Sequence, residues 1–133
     1  MNTLVDTSVW SLALRRDSPP AITELDELNR ALRAGMVVST GLVLQELLQG
    51  FSKPKGHKLI VEQFRSLPLI IPDREDHISA AELHTRCRRR GVQVGTIDVL
   101  LAQLCIRHEL QMLTTDRDFE SIARIAPINV WQP

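Results

Sequence analysis

The stretch Thr3-Leu4-Val5-Asp6-Thr7-Ser8-Val9-Trp10 decides the fold of this chain. A short run of apolar and β-branched residues leads directly into a carboxylate, two hydroxyl residues follow, and apolar residues at helical spacing begin at Val9. A strand that passes straight into a helix places Asp6 at the carboxyl end of a buried strand, where open α/β sheets bind ligands. Because burying an unpaired carboxylate is costly, Asp6 is predicted either to cap the helix or to belong to a functional site.

Strands and helices alternate along the rest of the chain. Strands are predicted at residues 3–5, 36–39, 68–72, 111–114 and 128–131. Helices are predicted from Val9, from Pro19-Pro20, and over residues 42–51, 58–66, 73–90, 96–110 and 116–125, with Pro54 and Gly56 breaking the chain before the fourth. This alternation predicts one α/β domain over residues 1–133, a three-layer α/β/α fold with a mostly parallel five-stranded sheet.

Composition and charge narrow the function classes. Lys+Arg and Asp+Glu are equal at 16 each, so any polyanionic partner must be met by local patches or through a metal. No apolar run approaches membrane-spanning length and no signal peptide is evident, which predicts a cytoplasmic protein. Cys87 and Cys105 lack metal-ligand or redox spacing and are expected to be buried thiols.

Three further acidic residues occupy settings comparable to that of Asp6. Asp98 lies in the first turn of the most apolar helix, Glu46 lies on the border of the apolar face of a Leu-rich helix, and Asp116 follows the fourth strand. Each has an ordinary explanation when taken alone, because carboxylates cap helices, offset the helix dipole or face solvent. Together, two follow strands and two lie on helices that begin beside strand ends, so all four are expected at one edge of the sheet.

Converging carboxylates need compensation. Two of them ~5 Å apart repel by roughly 3 kcal/mol at an effective dielectric of 20, so four are stable only with protonation or a cation between them. Oxygen ligands without His or Cys suit Mg²⁺ or Mn²⁺. Such an ion keeps bound waters, and one of these can act as the nucleophile in an in-line displacement at phosphorus.

These motifs resemble the acidic motifs of PIN-domain nucleases. The resemblance rests on residues 4–10, on Glu46 in its Leu-rich helix, on Asp98, and on residues 113–119, and the size and motif order are most similar to VapC-type toxins of bacterial toxin–antitoxin pairs. It implies an Mg²⁺-dependent endoribonuclease, commonly a homodimer, that is silenced by a cognate antitoxin protein. By position, Asp6, Glu46, Asp98 and Asp116 would bind the metal and hold the water that hydrolyses RNA. The supporting residues would be Ser8, Thr114 and Asp118.

Two alternatives stay open. One is a Mg²⁺-dependent phosphatase or phosphotransferase in which Asp6 is itself phosphorylated, although haloacid-dehalogenase-type enzymes would carry an Asp where Ser8 stands. The other is a non-catalytic PIN-like binding module. Gly-rich nucleotide-binding loops are disfavoured because no G-x-G-x-x-G or Walker-type run occurs.

Features that would contact RNA are sparse in the sequence. The basic clusters are predicted to be solvated faces rather than phosphate contacts; they comprise Arg86, Arg88, Arg89 and Arg90, and the set Arg15, Arg16, Lys53, Lys55 and Lys58. The chain has no Tyr, and its aromatic residues fall on core-like faces, among them Trp10 and Trp131. We therefore expect RNA to be selected by the shape of a loop or single strand rather than by stacking on an aromatic side chain.

Overall fold

The computed structural model describes residues 1–15 and 18–133. The strands are β1 (Thr3–Val5), β2 (Val37–Thr40), β3 (Leu69–Ile70), β4 (Gln111–Leu113) and β5 (Asn129–Val130). The helices are α1 (Thr7–Ala13), α2 (Thr23–Arg33), α3 (Gly41–Gly50), α4 (Pro54–Phe64), α5 (Arg74–Arg89), α6 (Thr96–Arg107) and α7 (Asp118–Ala123). None of these helices is long and apolar enough to cross a membrane.

The five strands form one parallel sheet in the order β3-β2-β1-β4-β5. The central strand, β1, is buried along its whole length, as expected for a parallel strand covered on both faces. Helices flank the sheet, and the predicted three-layer α/β/α fold with a five-stranded parallel sheet is confirmed. The core includes Leu4, Val5, Trp10, Leu101 and Met112, and the two cysteines are buried thiols as predicted.

The strand order creates a topological switch point between β1 and β4. The chain leaves β1 toward β2 on one side, whereas β5 lies beyond β4 on the other. At such a point the connections diverge and leave a crevice at the carboxyl ends of the two strands. Asp6 follows β1 directly and Asp116 comes shortly after β4, so this crevice is the place to search for a site.

Several predicted boundaries and faces are wrong. Pro54 does not break the chain but is the first residue of α4, where its missing N–H costs nothing, and α2 begins at Thr23 rather than at Pro19-Pro20. The apolar residues of the fourth helix predict an inward-facing Leu59, which is in fact 58% exposed. The apolar run at residues 68–72 predicts a buried strand, but it forms the edge strand β3, which pairs with β2 alone among residues 1–15 and 18–133.

The helical spacing of the apolar residues in α2 predicts that Glu27 faces water, but this residue is buried. Glu27 is only 7% exposed, and its carboxylate accepts hydrogen bonds from the guanidinium of Arg30, which also forms an ion pair with it. Position on the polar side of a helical pattern could not reveal this burial, because the Arg30 partner allows the charge to leave water.

Candidate functional site

Asp6 is held by two hydroxyl groups. The hydroxyls of Ser8 and Thr114 donate to its Oδ2 atom at 2.8 and 2.9 Å. The backbone N–H groups of Thr115 and Asp116 in turn donate to those hydroxyls, at 3.1 and 2.9 Å. Because each hydroxyl oxygen already accepts an N–H, its own hydrogen is directed at Asp6. This pattern holds the carboxylate of Asp6, which is 6% exposed, in one orientation.

Capping does not account for Asp6. It occupies the N-cap position of α1, yet in the described part of the chain its side chain accepts no capping hydrogen bond from that helix. Its hydrogen bonds run instead to Ser8 and, across the switch point, to Thr114.

Three other carboxylates form a tight group. Asp98, Asp116 and Asp118 each offer one oxygen atom, and these three atoms all lie within 4.8 Å of one another. Asp98 projects from the first turn of α6, whereas Asp116 precedes α7 and accepts a hydrogen bond at Oδ1 from the backbone N–H of Asp118, at 2.9 Å. The resemblance implied only a supporting role for Asp118. Its carboxylate nevertheless lies within the same 4.8 Å of Asp98 as that of Asp116.

The charge of Asp98 is destabilised by its surroundings. Burial, followed by the negative charges of neighbouring carboxylates, raises the pKa of Asp98 to about 6. A carboxylate that only compensated a helix dipole would instead have a lowered pKa. The neighbours that act on it are Asp6, Asp116, Asp118 and Glu46. The structure therefore brings all four predicted acidic residues, together with Asp118, into one electrostatic field.

Glu46 is held by a residue that the sequence did not single out as part of the site. The hydroxyl of Thr7 donates to Oε1 of Glu46 at 3.0 Å and so links α1 to α3. Thr7 is the first residue of α1, and its sequence signal is only a hydroxyl beside a strand-end carboxylate, which is equally typical of a helix cap. The second oxygen of this carboxylate, Oε2, takes no part in the hydrogen bond with Thr7.

The donor set fits a hard divalent cation. The grouped ligand atoms are carboxylate oxygens, the type preferred by Mg²⁺, Mn²⁺ and Ca²⁺, and neither His nor Cys belongs to the group of Asp98, Asp116 and Asp118. A cation among these oxygens would relieve the repulsion that raises the pKa of Asp98. The acidic cluster is thus suited to binding a divalent metal ion.

The basic residues that the sequence singled out lie on exposed surfaces of the described part of the chain. Arg86, Arg88 and Arg89 are exposed in the last turn of α5, where they complement the helix dipole as predicted. Arg15 and the lysines of the second basic set are also exposed. Arg16, a member of that set, lies outside the described residues.

The parallel sheet and the carboxylates beside its switch point place this chain among α/β proteins whose acidic site is suited to a metal ion. The sequence profile of the PIN domain matches residues 3–125, and the chain belongs to the PIN domain family. It is 32% identical over 124 residues to Ribonuclease VapC11 of Mycobacterium tuberculosis and to VapC ribonuclease Mb1587 of Mycobacterium bovis, covering 92% of this chain and 92% of each relative.

Solved structures share the fold. A chain of the DNA-bound VapBC structure from Salmonella typhimurium superposes with a TM-score of 0.77 at 22% identity, and a chain of FitAcB from Neisseria gonorrhoeae with a TM-score of 0.76 at 19% identity. In both cases the match covers 98% of this chain and 97% of that chain. These likenesses confirm the predicted PIN-like fold.

Proposed function

We propose that this protein is an Mg²⁺-dependent endoribonuclease and acts as the toxin of a bacterial toxin–antitoxin pair, with residues 1–133 forming one nuclease domain. The observation that carries the proposal is the group formed by Asp98, Asp116 and Asp118, whose oxygens lie within 4.8 Å of one another, in a chain 32% identical to VapC ribonucleases. The nearby charges of Asp6 and Glu46 support it, because they also raise the pKa of Asp98. Such convergence is what hydrolysis of a phosphodiester by a metal-activated water requires.

The chain's residues divide the work at this site. Asp98, Asp116 and Asp118 offer the closest set of oxygens for Mg²⁺, with Mn²⁺ as a substitute, and Asp6 and Glu46 complete the ring of negative charge. Mg²⁺, when bound, neutralises charge on the phosphoryl group and lowers the pKa of a coordinated water. Ser8 and Thr114 fix the orientation of Asp6, as residues behind metal ligands do.

A phosphorylated Asp6 is a poorer account of the site. Asp6 is 6% exposed, and two hydroxyl groups donate to its Oδ2 atom, so the carboxylate is held as an acceptor rather than presented to an incoming phosphoryl group. The same hydrogen bonds suit a ligand whose charge must be retained.

Partners follow from the relatives. The proposed substrate is RNA, and the proposed protein partners are a cognate antitoxin and a second copy of the chain, all in the cytoplasm. VapBC structures, from Salmonella typhimurium among others, are complexes named for this kind of pair.

The direct test uses the purified chain and a mixed pool of single-stranded RNA. We expect endonucleolytic cleavage with Mg²⁺, loss of cleavage with EDTA, and recovery when excess Mg²⁺ is restored. Expression without a partner should arrest growth and leave cleaved cellular RNA. Glu62→Gln, at an exposed residue on α4, serves as a matched control that removes one carboxylate outside the cluster and should cleave like the wild type. RNA that stays intact at every Mg²⁺ concentration would refute the nuclease assignment and favour a binding module.

The Thr7–Glu46 contact gives a first mutational prediction. Thr7→Val removes the hydroxyl that orients Glu46 and is expected to lower kcat/KM for RNA about 10-fold, the lower end of the effect of losing a hydrogen bond behind a metal ligand. The loss should shrink at high Mg²⁺ if the hydroxyl acts by orienting a metal-binding group.

Thr7→Ser is the control, because it keeps the hydroxyl while removing the methyl group. It should retain activity within about 2- to 3-fold of the wild type, since only packing changes. Equal losses in Thr7→Val and Thr7→Ser would assign the effect to packing of α1 and not to Glu46.

A further inference from the structure

A groove opens beside the acidic cluster, and nothing in the proposed chemistry uses it. Its volume is about 510 Å³, and its wall includes Thr114, Thr115 and Asp116 from the β4–α7 connection. Because Thr114 binds Asp6 and Asp116 belongs to the tight carboxylate group, a molecule in the groove lies directly beside the proposed site of hydrolysis.

The groove combines an apolar surface with a polar one. Leu12, Ile22 and Trp131 supply the apolar part. The polar part includes the carboxylates of Glu24 and Glu120, which are hydrogen-bond acceptors, and Arg117, whose positive charge suits a phosphate group. Trp131 is half-buried against the core, so the prediction that it is only a core residue is incomplete. Its backbone N–H donates to the carbonyl of Met112 at 2.8 Å, which ties its main chain to β4.

The size and chemistry of the groove suit one unpaired nucleotide, since a nucleobase alone would fill only part of it. A volume of about 510 Å³ falls in the range of small-molecule sites and is too small for a base-paired duplex. A nucleobase has flat apolar faces, which stack on an indole or pack on aliphatic side chains, and a polar edge. Acceptors such as Glu24 and Glu120 pair with the donor groups of that edge.

We infer that this groove is a base-binding subsite that holds one unpaired nucleotide next to the scissile phosphodiester, with guanine preferred. The inference rests on the proposed nuclease function. Guanine presents two adjacent donors, N1–H and N2–H, which match a carboxylate in two parallel hydrogen bonds. Uracil presents one N–H between two carbonyl acceptors, which a carboxylate repels.

The first experiment measures cleavage of an RNA pool that is randomised on both sides of the cleavage point. The wild type should enrich guanine at one fixed position relative to the cut. Glu24→Gln and Glu120→Gln keep the side-chain size and remove the charge, and at least one of them should reduce the guanine-over-uracil preference by about 10-fold, the discrimination of one bidentate pair. Preference unchanged in both variants would overturn the choice of guanine.

The second experiment pairs a change in the protein with a change in the RNA. An abasic nucleotide at the preferred position should slow the wild type about 10-fold, and Trp131→Leu should slow cleavage of intact RNA by a similar factor, as expected for the loss of one base–aromatic stack. The abasic RNA should slow Trp131→Leu by less than 3-fold, because the stacking partner is already gone.

Three outcomes distinguish failure of this inference from failure of the proposed function. If the wild type cleaves RNA in Mg²⁺ and the abasic nucleotide slows the wild type and Trp131→Leu by the same factor, the two changes act independently. The nuclease assignment then stands and the subsite is refuted. If Trp131→Leu weakens only the grip of a protein inhibitor and leaves the base profile unchanged, the groove binds a peptide segment and not RNA. Cleavage that is absent in the wild type refutes the proposed function itself.

Discussion

Asp98→Asn is expected to abolish RNA cleavage and, in the absence of metal, to make the protein more stable. The loss of activity should exceed about 1,000-fold, because a ligand of the proposed Mg²⁺ site loses its charge where charge is needed to hold the ion. The gain in stability follows from the same feature, since the carboxylate that the variant removes is repelled by its neighbours.

The size of the stability gain depends on pH in a direction that the pKa fixes. Asp98 has a folded-state pKa of about 6, raised from 3.8. The native state therefore binds this proton more tightly than the unfolded state, so the contribution of Asp98 to stability is fully present below about pH 4 and is lost as the pH rises through about 6. Above that window the charged form costs on the order of 2 kcal/mol, allowing for the partial exposure of the group.

Thermal unfolding in EDTA at pH 4 and pH 7.5 measures the effect. Wild type and Asp98→Asn should melt at similar temperatures at pH 4, whereas at pH 7.5 the variant should melt roughly 5–10 °C higher. Excess Mg²⁺ should stabilise the wild type more than the variant, because only the wild type keeps the full set of charges. A variant that is less stable than the wild type at pH 7.5 in EDTA would contradict the repulsion on which the metal site is inferred.

The fold was predictable because the decisive signals are local. The burial of Thr3–Val5, the stop of α2 at Gly35 with its positive φ of 67°, and the capping of α5 by Asp73 each follow from a few neighbouring residues. The edge position of β3 was not predictable, because an apolar run between prolines looks the same whether one or two strands pair with it.

In the candidate site, too, features with a local sequence signal were predictable and features that depend on the assembled fold were not. The positions of Asp6 and Asp116 after strands are visible in the sequence, whereas the Thr7–Glu46 hydrogen bond joins residues from two helices and leaves no local pattern. Trp131 shows how little the sequence alone says about the exposure of an aromatic side chain. Its spacing predicts a core side chain, and only the assembled chain shows that part of it lines a groove beside Asp116.

Periodicity also did not reveal the ion pair between the buried Asp76 and the partly exposed Arg107, and this pair gives the second large prediction. Asp76 is 1% exposed, and its Oδ2 atom forms an ion pair with Arg107 and accepts the backbone N–H of Asp73 at 2.9 Å. These contacts join the beginning of α5 to the end of α6. The second oxygen of Asp76, Oδ1, has no hydrogen-bond partner among the described residues. The buried charge is compensated by the backbone N–H of Asp73 and by the guanidinium of Arg107, which supplies the opposite charge.

Arg107→Met should destabilise the protein by about 2–3 kcal/mol at pH 7, because it leaves a buried carboxylate without its cation while keeping most of the aliphatic packing. The control is Arg65→Met, which breaks the exposed pair with Glu62, with its 3.7 Å separation, and should cost less than about 0.5 kcal/mol. Urea unfolding of both variants measures the difference.

The pH dependence of the Arg107→Met effect separates lost charge compensation from lost packing. Burial by itself raises the pKa of Asp76, but the hydrogen bonds from Asp73 and Arg107 and the charge of Arg107 outweigh it and lower that pKa below 3.8. The stabilisation is therefore present above about pH 4 and is lost as pH falls through the folded-state pKa. Without Arg107 the buried carboxylate takes up its proton at higher pH, so the gap between variant and wild type should narrow as the pH is lowered from 7 to 4. A gap that stays constant over this range would assign the loss to packing between α5 and α6, and the ion pair would then contribute nothing measurable to the stability of the fold.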